Sequence, residues 1–95
     1  MGSAADGPWA GADRWQALLN EREIPPSSRQ RRLTAPIPVR ARLVWERDGE
    51  EIIETMATHW AGRAVLVRTS DRRRRFHGVW LDSTDVQRLS HKVES

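Results

Sequence analysis

From residue 39 onward, apolar and polar positions alternate. In "VRARLVWE", Val39, Ala41, Leu43 and Trp45 fall on one face and Arg40, Arg42, Val44 and Glu46 on the other, the period of a half-buried strand. Asp48-Gly49 then predicts a tight hairpin, because a type I′ turn needs positive φ at both central residues, and "EIIETMATHW" returns the chain as a second strand. Two registers are open. A two-residue loop sets Trp45 opposite Ile52 and Leu43 opposite Glu54, whereas a three-residue bulged loop pairs Leu43 with Ile53. "WAG" at 60–62 reads as a second turn and "RAVLVRT" as a third strand. "SDRRR" is then a third loop leading into "RFHGVWL" as a fourth strand. The end, "LDSTDVQRLSHKV", has two readings. Asp82 caps a short helix with Val86, Leu89 and Val93 on one face, or "DSTD" makes a 3₁₀ turn before a short fifth strand.

Ahead of residue 37 the pattern differs. Residues 1–7 are small and Gly/Ala-rich and are expected to be disordered. In the segment 8–24, Trp15, Leu18, Leu19 and the stem of Arg22 recur at i, i+3, i+4 and i+7, which predicts an amphipathic helix over about residues 9–22. Pro25 ends it. Residues 25–36 read as a Pro/Arg-rich linker, residues 37–89 as the folded β unit and residues 90–95 as a tail.

The closing stretch "GVWLDSTDVQRL" resembles the last segment of SH3-like barrels, in which a strand ends in an aromatic-plus-aliphatic pair, makes a 3₁₀ turn with a serine and returns on a valine. Trp80, Leu81, Ser83 and Val86 take the matching positions. Eukaryotic SH3 domains usually carry a proline and a tyrosine where this chain has Asp82 and Asp85, and that tyrosine helps to build their groove for proline-rich peptides. The resemblance therefore implies the barrel and not that binding function. A second comparison fails. The arginine-rich linker followed by "ATHWAGRAVLV" is faintly similar to the entrance of a PilZ domain, which binds cyclic di-GMP. However, no two arginines in 29–32 have the RxxxR spacing, and Ala57 and His59 stand where the DxSxxG signature asks for Asp or Asn and for Ser.

Composition narrows the chemistry. A chain of 95 residues can bury one modest core, and with no cysteine neither disulfides nor thiolate metal sites can supplement it. No apolar run approaches a membrane span, and a cytoplasmic setting is expected. The net charge is +3, and only one of the 16 basic residues, Lys92, is a lysine, so arginine richness is a property of the whole chain. His59, His77 and His91 lack metal-ligand spacing, and no serine sits in a nucleophile elbow.

The sequence thus predicts a mostly β protein: a small antiparallel SH3-like barrel of four or five strands with an N-terminal amphipathic helix. It is expected to be a non-catalytic binding module without cofactor or metal. An unidentified protein partner is expected on Trp9, Trp15, Leu18 and Leu19, where the helix carries an apolar stripe. The alternative is nucleic acid, gripped by Arg29, Arg31, Arg32, Arg72, Arg73, Arg74 and Arg75, with Trp60 as a stacking group. Trp45 and Trp80 are expected to fill the core.

Overall fold

A computed structural model describes residues 15–74 and 77–89. Five antiparallel strands form one sheet: β1 (Arg31–Trp45), β2 (Gly49–Ala61), β3 (Ala64–Arg68), β4 (Gly78–Asp82) and β5 (Val86–Arg88). Their spatial order is β4-β3-β2-β1-β5, so the sheet does not close into the expected barrel, because its end strands β4 and β5 do not pair with each other. The alternation read from the sequence is the alternation observed. Val39, Ala41, Leu43 and Trp45 are buried on the concave face, where they meet Ala57, Val67, Val79 and Leu81. Trp80 is buried on the opposite face of β4, in a small cluster with Ala61 and Ala64.

The first hairpin turns earlier than either register anticipated. Trp45 pairs with Gly49 and Leu43 with Glu51, so the loop is Glu46-Arg47-Asp48 and Gly49 opens β2 with φ of 79°. This register places Glu51, rather than an isoleucine, beside Trp45. The carboxylate is satisfied there by the indole N–H, 2.9 Å away, and by an arginine from a distant loop. A local turn preference could not anticipate that partner.

The expected amphipathic helix is not formed in the described residues, which contain only two 3₁₀ turns, Ser27–Arg29 and Ser83–Asp85. Trp9 lies outside the described residues. Residues 16–22 instead run as a strap across the gap between the end of β1 and β4, with a turn at Leu19-Asn20 closed by Glu21 N–H on Leu18 O. Leu19 N–H donates to Val44 O, Glu46 N–H to Ala17 O and Arg22 N–H to Trp80 O. Asn20 mimics a strand partner, its Oδ1 accepting from Val44 N–H and its Nδ2 donating to Arg42 O. These bonds explain why helical periodicity lost: a helix would leave the backbone edges of β1 and β4 unpaired, and the strap satisfies both. Of the predicted stripe only Leu18 enters the core, while Trp15 is 43% and Leu19 66% exposed.

The strand β1 begins at Arg31, inside the expected linker. Its pairing with β2 slips between Arg32 and Ile37, a stretch in which Pro36 cannot donate to a ladder. At the other end of the chain, the 3₁₀-plus-strand reading is the observed one. Asp82 Oδ2 accepts from the Thr84 N–H and hydroxyl, and these hydrogen bonds hold its carboxyl below the usual range.

Candidate functional site

The arginine run that looked most like a phosphate grip is largely committed inside the protein. Arg73 donates to both oxygens of Asp71, and its terminal nitrogens reach Asp48 at 3.0 Å and Glu51 at 2.7 Å. Its guanidinium also stacks over the Trp45 indole. These hydrogen bonds pull the Asp71 carboxyl down to about 2 and push Arg73 up, so the pair stays charged across the whole working range of pH. Arg74 is almost buried and clamps Glu21 with two bonds, adding a third to Gly78 O. Arg72 is exposed, and Arg75 lies outside the described residues. Three carboxylates gather around Arg73, so this loop presents no basic surface there.

The remaining candidates converge elsewhere. In the pairing of β2 with β3, Ala57 faces Val67 and His59 faces Leu66, so Thr58 is one extra residue, a β-bulge. A bulge inverts the phase of every side chain beyond it. Without it Trp60 would point to the convex face. With it, Trp60 pairs with Val65 and turns to the concave side, where the sheet holds an open groove of about 200 Å³. Leu33, Ile37, Val39, Ala57, Val65 and Val86 give it a mainly aliphatic lining, to which His59 and Ser83 add polar groups. Trp60 stands at the rim, 45% exposed.

Two arginines share that face. Arg31 pairs with Trp60 across the β1–β2 ladder, and Arg88 pairs with Val39 across β1–β5 and lines the groove. Neither makes an ion pair among the described residues, and no acidic residue lines the groove. Arg32 follows Arg31 along the strand and so points to the other side, and Arg29 lies in the 3₁₀ turn beside a separate cleft of about 430 Å³ lined by Pro25 and Pro26. The structure thus joins Trp60 to Arg31 but separates both from Arg72, Arg73 and Arg74. Trp15, Leu18 and Leu19 form no common surface with the groove.

Sequence reasoning missed Arg88 and the aliphatic lining. One signal was present: along "MATHWA" the apolar spacing lengthens from two to three between Ala57 and Trp60, which marks a phase slip. Among the described residues no cluster of His, Asp and Glu is arranged to hold a metal, and no helix is long and apolar enough to cross a membrane. No family model, curated protein or solved structure matches this chain.

Proposed function

We propose that the protein is a non-catalytic binding module, an open antiparallel sheet with an SH3-like strand plan, whose recognition face is the concave groove beside Trp60. The observation that carries this reading is the aliphatic lining left open to solvent with a half-exposed tryptophan at its rim. A fold this small gains from covering such a surface, and an amphipathic ring at the edge of an apolar cleft is a common anchor for a partner. A cavity of about 150 Å³ accepts a benzene ring, so this one accommodates a single large apolar side chain. The SH3-like strand plan is supported by the order β4-β3-β2-β1-β5 and by the 3₁₀ turn between the last two strands. The cysteine-free composition fits a reducing, cytoplasmic setting.

A protein partner is favoured over nucleic acid for two reasons. Arg73 and Arg74 are engaged with carboxylates, and the mainly apolar groove with only Trp60 at its rim suits the burial of an apolar side chain better than the tracking of a phosphate backbone. The test is selection of a random peptide library on the full chain. Peptides that depend on the groove lose binding to Trp60→Ala and to Leu33→Gln, two changes outside the buried core. Enriched peptides that bind both variants unchanged, or no enrichment at all, reject the reading.

A further inference from the structure

The groove is apolar within and basic at its edge. Arg31 at the start of β1 and Arg88 on β5 share its face, the first across from Trp60 and the second across from Val39. The acidic residues nearest in sequence to its wall are already engaged: Asp82 with Arg22 and Thr84, and Asp85 with Arg42 and Asn20. The stretches 24–45 and 55–70, which supply β1, most of the groove and its turn, contain no Asp or Glu at all. Two positive charges thus flank an apolar cleft with no internal counter-charge among the described residues.

We propose that the partner is an acidic peptide segment that seats one large apolar side chain in the groove and sets carboxylates against Arg31 and Arg88. The proposal rests on the groove being the recognition face. Its energetic logic divides two tasks. Burial of the anchor supplies affinity, and the charge pairs select the partner and steer its approach. Arginine suits the second task, because its planar fork binds a carboxylate through two parallel hydrogen bonds.

The test is fluorescence anisotropy on the full chain with three labelled peptides at about 150 mM salt. One is acidic with a central leucine, the second has alanine in place of that leucine, and the third keeps the leucine but replaces its acids by amides. The first is expected to bind about tenfold or more tighter than either of the others, as burial of one leucine and loss of its flanking charges each allow. Arg31→Glu and Arg88→Glu each weaken it by about tenfold. Arg32→Glu, on the opposite face, and Arg72→Glu, in the remote loop, leave it unchanged. Arg31→Gln and Arg88→Gln, checked by thermal melting, give the same ranking should the charge reversals disturb the fold.

Equal binding of the leucine and alanine peptides overturns the proposal, as does an equal effect of Arg32→Glu and Arg72→Glu. Tighter binding of an oligothymidylate that is lost in Arg31→Glu and Arg88→Glu overturns it in favour of a nucleic acid. If library selection yields neutral apolar peptides that still require Trp60, the acidic partner is wrong and the groove stands. If no peptide requires Trp60, the groove falls as well.

Discussion

Arg73 lies over Trp45, its guanidinium carbon 3.9 Å from the ring centroid, and the two side chains donate to the same oxygen of Glu51, at 2.7 and 2.9 Å. The residue comes from a loop twenty-eight positions further along the chain, which it fastens to the first hairpin through Asp48. Trp45 is thereby closed on one side by an aliphatic core and on the other by a cation, and the hairpin tip is tied to the β3–β4 loop.

Arg73→Ala is therefore expected to lower stability by roughly 1 to 3 kcal/mol, since it removes several charge-assisted hydrogen bonds from a site only 20% exposed. Arg72→Ala, at the adjacent and exposed position of the same run, is expected to change stability by less than about 0.5 kcal/mol. Urea denaturation of both variants checks the contrast, and equal effects would show that the run acts as a uniform charged tip.

The same cluster sets an acid limit. Asp71 has its carboxyl held at about 2 in the folded protein against 3.8 ordinarily, by its hydrogen bonds from Arg73. A depressed carboxyl contributes stability that is complete above its unfolded pKa and is lost as pH falls through the folded one. The contribution of Asp71 is thus present above about pH 4 and disappears toward pH 2. Asp71→Asn should flatten the acid limb of a stability-versus-pH curve over that interval and leave the limb above pH 5 parallel to the parent.

The strap contributes more than its length suggests. Asn20→Ala leaves Val44 N–H and Arg42 O without their side-chain partners and is expected to cost about 1 to 2 kcal/mol. Leu18→Ala removes a core side chain only 5% exposed and is expected to cost about 2 to 5 kcal/mol. Hydrogen exchange offers an independent check: in Asn20→Ala the Val44 amide should exchange faster, with amides of β3 following only the global loss.

The tryptophans divide by role. Trp45→Ala should cost about 3 to 5 kcal/mol, because the side chain is 1% exposed in the main core. Trp60→Ala should cost less than about 1 kcal/mol, because nearly half of the ring is already in water. Thermal melts of the two variants decide the matter, and a large loss at Trp60 would make it a structural plug.

Gly49 tests the hairpin register. Its φ of 79° lies in the left-handed region while a Cβ there would meet no neighbour, so Gly49→Ala isolates backbone strain from packing. The expected cost is about 1 kcal/mol, read from chemical denaturation.

Much of this architecture was legible in the chain. Alternation over Val39–Trp45 identified the buried face of β1, since successive side chains of a strand must point to opposite sides. The stretch "LDSTDVQRL" announced its 3₁₀ turn because Asp82 can bond the Thr84 amide locally. The glycine at 49 marked a left-handed position, although the register beside it depended on more than the turn. What local pattern could not decide were contacts made by distant segments. The stripe Trp15, Leu18, Leu19 obeys helical spacing, yet residues 16–22 pair with backbone edges of β1 and β4 that a helix would leave without those partners. Four consecutive arginines look alike in sequence, and only the fold sets Arg73 against three carboxylates and Arg74 against Glu21 while leaving Arg72 in water. The groove arises in the same way, because one extra residue at Thr58 reverses the side on which Trp60 emerges. Local periodicity therefore determined the strands and their inner faces. Tertiary structure decided the partners, because hydrogen bonds and charges are satisfied by whichever groups the folded chain brings near.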